Sequence, residues 1–131
     1  MSIVERFNQL DLPADRCVVI GSGVLDALGL RSAVDIDLAV EQGLFNELRQ
    51  SGDWQIGEKQ DGVVLTREDA EVWTGWGRDD GQSFEDLFKN GITVNGVRFA
   101  HPQTVLEWKR AKGRPKDLRD IELLEEYLRN V

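Results

Sequence analysis

The segment from Cys17 to Val40 constrains the fold more than any other part of the chain. Cys17-Val18-Val19-Ile20 is a short, unbroken apolar run, the pattern of a strand buried on both faces. Gly21-Ser22-Gly23 interrupts it, and Val24, Leu25, Leu28 and Leu30 then give a short helix loosened in its last turn by Gly29. In the next strand, Asp35-Ile36-Asp37-Leu38-Ala39-Val40, the alternation at the start puts Asp35 and Asp37 on one face and Ile36 and Leu38 on the other. Strand, turn, helix and strand in this order set the Gly-Ser turn and the paired aspartates on adjacent strands.

The rest of the chain reads as further helices and hairpins. Ile3, Val4, Phe7 and Leu10 fall at helical spacing and predict a first helix ending before Pro13. Leu44, Phe45 and Leu48 predict another, stopped by Ser51-Gly52, and Trp54-Gln55-Ile56 begins a run of strands. Asp61-Gly62 is a hairpin turn leading into Val63-Val64-Leu65-Thr66, and a further strand is expected near Ala70 to Thr74. Gly75, Gly77, Asp79, Asp80 and Gly81 read as a loop, after which Ser83 and Asp86 form a capping arrangement for a helix holding Phe84, Leu87 and Phe88. Asn95-Gly96 is the strongest hairpin signal and joins Ile92-Thr93-Val94 to Val97-Arg98-Phe99. Pro102 fits a first helical turn, Val105, Leu106 and Trp108 give that helix an apolar face, and Gly113 with Pro115 ends it. Leu118, Ile121, Leu124 and Leu128 predict one apolar stripe on the last helix.

A length of 131 residues suits one compact domain, 1–131, and 40% hydrophobic with 31% charged residues excludes a disordered chain. The formal charge of −8 opposes a broad DNA-binding surface or an anionic membrane as partner. A polyanion would have to meet a local basic patch, and Lys109, Arg110, Lys112, Arg114 and Lys116 supply one. The single cysteine, Cys17, allows no internal disulfide and reads as a buried thiol. MSIVERFNQL carries charges among its apolar positions and does not read as a signal peptide, and no apolar run is long enough to span a bilayer. A cytoplasmic location is the expectation.

Two carboxylates two positions apart on a strand have alpha carbons roughly 6.5 Å apart on the same face, so both reach a shared oxygen-ligated ion. Mg2+, or Mn2+ in its place, is the natural ion, because it takes few protein carboxylates and completes its shell with water and substrate phosphates. Gly21-Ser22-Gly23 offers the phosphates backbone N–H groups, a hydroxyl and the positive end of a helix dipole.

At these residues the sequence resembles the polymerase-beta-type nucleotidyltransferase superfamily: Ile20-Gly21-Ser22, a twelve-residue spacer, then Asp35-Ile36-Asp37-Leu38. The tail from Trp108 to Ile121 is similar to the C-terminal segment of small bacterial nucleotidyltransferase-like proteins, including relatives of abortive-infection and toxin-antitoxin nucleotidyltransferases. The resemblance implies an α+β fold, a mixed β-sheet with helices packed on it. It implies transfer of a nucleoside monophosphate from a nucleoside triphosphate to an acceptor hydroxyl on a protein, tRNA or small molecule. In that frame Asp35 and Asp37 bind metal, and Gly21 and Ser22 hold the terminal phosphates. Lys109, Lys112 or Lys116 neutralises the triphosphate. A third carboxylate, catalytic and metal-binding, is Glu71 or Asp69. The alternative is a catalytically silent nucleotide-binding or regulatory module, one half of a toxin-antitoxin-like pair.

Each residue also has a plainer reading. Asp35 and Asp37 alone suit the solvent face of an edge strand, Ser22 is a common helix cap, and the basic stretch suits a solvated helix end. Asp117 and Asp120 read as caps and salt-bridge partners of the last helix, and His101 as structural. Trp73 and Trp76 read as core or as an aromatic wall for a base, and Trp54 and Trp108 as packing.

Overall fold

The computed structural model describes residues 1–60, 62–76 and 82–131. Its first half comprises α1 (Ile3–Gln9), β1 (Cys17–Ile20), α2 (Ser22–Ala27), β2 (Ile36–Val40), α3 (Gln42–Ser51), β3 (Gln55–Lys59), β4 (Gly62–Arg67) and β5 (Ala70–Trp73). The second half adds β6 (Gly75–Trp76), β7 (Gln82–Ser83), α4 (Phe84–Lys89), β8 (Ile92–Val94), β9 (Val97–Phe99), α5 (Pro102–Lys112) and α6 (Leu118–Arg129). Single 3-10 turns at Ala14–Arg16 and Pro115–Asp117 precede β1 and α6. Among the described residues no helix is long and apolar enough to cross a membrane.

Seven strands form a mixed sheet in the order β3-β4-β5-β2-β1-β9-β8. β1 runs antiparallel to β2 with Ile20 opposite Asp37, while β2 runs parallel to β5 with Asp37 beside Glu71. Every residue of β1 is buried, as an all-apolar central strand requires. The helix α2 packs on β1 and β2 and also meets α5 and α6, which carries the C-terminal helices to the end of the central strands. Gly23 makes that packing possible, since a Cβ there would lie 2.5 Å from Val19 Cγ1 and 3.3 Å from Ile3 Cγ1.

Local signals appear where expected. Ser2 and Glu5 close a capping box on α1, and Ser83 Oγ accepts from the Asp86 N–H at 3.1 Å. Asn95 and Gly96 both take positive φ between the paired Val94 and Val97, the two-residue turn that right-twisted strands favour. His101 caps α5, its Nδ1 accepting from the Gln103 N–H at 3.0 Å.

Five expectations change. Asp35 precedes β2 and does not begin it, and α2, expected to run through Leu28 and Leu30, closes at Ala27. Gly75 belongs to a small ribbon, paired with Ser83, where a loop was expected; the neighbouring Gly77, Asp79, Asp80 and Gly81 lie outside the described residues. Gly62 already pairs with Lys59 as the first residue of β4, and its expected turn partner Asp61 lies outside the described residues. Leu118 is 59% exposed and leaves the stripe formed by Ile121, Leu124 and Leu128, because it is the first residue of α6 and the preceding 3-10 turn sets its direction.

Candidate functional site

The register of three strands gathers the site. Gly21 follows Ile20 at the end of β1, Asp37 faces it from β2, and Glu71 lies beside Asp37 on β5. Gly21 has φ 65° and ψ −139°, a conformation that a side chain strongly disfavours. A Cβ on Gly21 would stand 3.5 Å from Asp37 Oδ2, so the turn backbone directly abuts this carboxylate. Gly21, Ser22, Asp35, Asp37 and Glu71 all line one cleft of about 600 Å³. Its size suits a small ligand.

The carboxylate side of the cleft is electrostatically crowded. Burial first, then the negative charges of Glu71 and Asp35, push Asp37 up to about 6. Glu71 is held by Lys59, whose Nζ donates to Oε2 at 2.8 Å and to Oε1 at 3.1 Å. Asp69 forms an ion pair with Arg6 and sits outside the strand, so the residue that shares the cleft with Asp35 and Asp37 is Glu71. Among the described residues no group of three or more His, Cys, Asp or Glu side chains converges closely enough to hold a metal ion by itself.

The other side of the cleft is a buried ionic network that joins the segment between α2 and β2 to the C-terminal helices. Lys109 on α5 is 4% exposed, Asp117 1% and Asp120 3%. Lys109 Nζ lies 3.5 Å from Asp117 Oδ1 and 3.1 Å from Asp120 Oδ2. Arg114 donates to Asp117 through Nε at 2.7 Å and Nη2 at 3.1 Å. Arg31 grips Asp120 through Nε at 2.5 Å and Nη2 at 2.7 Å. Burial alone would raise both aspartates, but the hydrogen bond from Arg114 to Asp117 and that from Arg31 to Asp120, with Lys109 beside each, hold both below the usual carboxylate range.

The basic residues named from the sequence therefore separate. Lys109 and Lys116 line the cleft, with Lys109 already engaged by two carboxylates, whereas Lys112 lies over the Trp108 ring at 5.1 Å. Asp117 and Asp120 act as salt-bridge partners, and Asp117 makes no side-chain cap on α6. Trp76 and Trp108 stack with centroids 4.6 Å apart and both line the cleft, as does the half-buried Trp73. Trp54 packs in the core under Arg67, as its packing role predicts. Arg31 and Lys59 escaped the sequence reading, since each is a single cation in a stretch with no motif and gains its place only through distant partners.

The chain has a nucleotidyltransferase-like fold, an α+β arrangement of a mixed sheet with helices packed on it. Its structure is similar to that of ANT(2'')-Ia in complex with adenylyl-2''-tobramycin, with a TM-score of 0.58 at 18% sequence identity over 97% of this chain and 86% of that one. At that identity the likeness is one of fold. No family model matches the chain, and no curated protein matches it either.

Proposed function

We propose that residues 1–131 form a single metal-dependent nucleotidyltransferase domain that moves a nucleoside monophosphate from a nucleoside triphosphate to an acceptor hydroxyl, in the cytoplasm. The observation that carries this reading is the convergence of Asp35, Asp37 and Glu71 with the Gly21-Ser22 turn and Lys109 and Lys116 in one cleft. The fold likeness supports it, because a tobramycin bearing an adenylyl group is what nucleotidyl transfer to a hydroxyl leaves behind. A small-molecule hydroxyl and ATP are accordingly the first acceptor and donor to assay.

The residues fit a divalent ion. Asp35 and Asp37 offer hard oxygen donors, and the like charges around Asp37 are the surplus that a cation relieves. Two aspartates suffice for Mg2+ or Mn2+, whose remaining ligands are phosphate oxygens and water. When bound, the ion stabilises charge on the attacking and leaving oxygens. Ser22 donates its hydroxyl to a terminal phosphate, and because α2 has only six residues the cationic side chains carry more of the phosphate's charge than the helix dipole does. Glu71 serves as third carboxylate and takes the acceptor's proton. The acceptor oxygen bonds to the α-phosphorus as pyrophosphate departs, so positioning and charge neutralisation supply most of the rate.

Calorimetry of ATP binding with and without Mg2+, for wild type, Asp35→Asn and Asp37→Asn, tests the reading. Metal-dependent binding that both substitutions weaken at least tenfold is expected; metal-independent binding, unchanged in the variants, would sink it. One observation favours a second reading, a silent nucleotide-binding or regulatory module within a toxin-antitoxin-like pair: Lys59 occupies both oxygens of Glu71. Incubation with labelled triphosphates and cell extract separates the two, since binding without label on any acceptor favours the silent module.

A further inference from the structure

Arg31 lies between α2 and β2 and Asp120 in the first turn of α6, yet the two meet in the cleft wall beside Ser22. The Arg31 guanidinium gives Nε and one Nη2 hydrogen to Asp120, its second Nη2 hydrogen to Ser22 Oγ at 2.7 Å, and one Nη1 hydrogen to the Ser32 carbonyl at 3.0 Å. A guanidinium has five N–H donors, so these bonds leave one on Nη1 for a further acceptor. The side chain is 33% exposed, whereas that of Lys109 is 5% exposed and spends its ammonium on two carboxylates. Asp120 divides its single negative charge between Arg31 and Lys109, and Asp26 adds a more distant negative charge that keeps the guanidinium firmly protonated. The bond to Ser22 also fixes that hydroxyl. With a lone pair taken by Nη2, its proton turns away from the guanidinium and is available to a second acceptor.

A planar fork with a spare N–H, next to an oriented hydroxyl, matches the oxygens of a phosphate. We infer that Arg31 is a phosphate-binding residue of this cleft, acting with the Ser22 hydroxyl on the terminal phosphates of a nucleoside triphosphate, and that Asp120 is its positioning residue. The inference rests on the nucleotide reading proposed above.

Competition calorimetry on the full chain with Mg-ATP and with AMP tests it, using wild type, Arg31→Met, Arg31→Lys and Asp120→Asn, each checked for folding by circular dichroism. Arg31→Met is expected to weaken Mg-ATP about 10- to 100-fold, the range of one charge-assisted hydrogen bond, and AMP less than about threefold. Arg31→Lys restores the charge without the fork and recovers part of the loss. Asp120→Asn weakens Mg-ATP by about tenfold. The double variant Arg31→Met/Asp120→Asn, which removes both charges and guards against misfolding of the single variant, falls no further than Arg31→Met alone. Equal losses for Mg-ATP and AMP, or unchanged Mg-ATP affinity in Arg31→Met, would overturn the role of Arg31 and leave the nucleotide site standing. Absence of Mg-ATP binding by the wild type would overturn both.

Discussion

Lys109 sits where lysine rarely does, buried and held between Asp117 and Asp120. Removing one partner from such a network leaves charge in a poorly solvated place. Both aspartates keep an arginine, so Lys109→Met is expected to cost about 2–4 kcal/mol, toward the lower end for a broken buried pair. Urea unfolding at pH 7 measures it, and a loss under about 0.5 kcal/mol would mean that the arginines alone satisfy the aspartates. Asp37 behaves oppositely, since burial and two neighbouring carboxylates work against its charge. Asp37→Asn is expected to stabilise the metal-free protein by about 1 kcal/mol, a rise of roughly 3–5 °C in Tm, while weakening nucleotide binding. A lower Tm than wild type would show that the carboxylate is structurally satisfied. The sequence made these two residues unequally legible. Asp37 belongs to a local alternation that shows which face it shares. Lys109 lay in a basic run that suits a solvated helix end, and its burial follows from aspartates on the next turn and helix. Arg31 was least visible, because its partner Asp120 is 89 positions away.

The strand-turn-helix-strand unit, the Asn95-Gly96 hairpin and the caps of α4 and α5 rest on short-range patterns, and the chain wears those openly. The choice between Glu71 and Asp69 depends on β2 and β5 lying parallel in one register, a pairing across an intervening helix and hairpin that no local pattern encodes. Leu118 shows the same limit on a smaller scale, since helical periodicity says nothing of how a preceding 3-10 turn aims the first residue. Close packing of α2 on β1 gives a test at this scale. A methyl group on Gly23 would meet Val19 Cγ1 at 2.5 Å, far inside contact distance, so Gly23→Ala is expected to destabilise by about 1–3 kcal/mol. Chemical denaturation of Gly23→Ala, Val19→Ala and the double variant checks the cause. The double variant should lose less than the two single losses added together, because the smaller side chain makes room; simple additivity would place the cost elsewhere.

At the scale of the whole molecule, a chain with a formal charge of −8 carries a cleft wall in which Arg31, Lys59, Lys109, Arg114 and Lys116 match its five carboxylates in number. The acidic excess therefore lies elsewhere, and a polyanion meets a locally balanced surface. The same ion pairs tie α5 and α6 to the segment between α2 and β2, so integrity of the cleft and stability of the fold are linked. That link gives a pH dependence of definite sign. Asp117 and Asp120 are held below the ordinary aspartate value of 3.8, despite burial, so the native state keeps them charged at a pH where the unfolded chain takes up protons. Their contribution is fully present well above pH 3.8 and is lost as pH falls through that value toward the depressed native ones. Asp37 works the other way, since its raised value of about 6 means that it gains its proton in the native state first, so the wild-type urea midpoint is expected to rise modestly from pH 7 to about pH 5 and to fall below about pH 4. Asp120→Asn should be less stable at pH 7 and closer to wild type at pH 3, where the unfolded wild-type chain has taken up the proton that the native carboxylate resists. A gap of equal size at both pH values would assign the role of Asp120 to packing and neutral hydrogen bonding, and would remove the electrostatic tie between the C-terminal helix and Arg31.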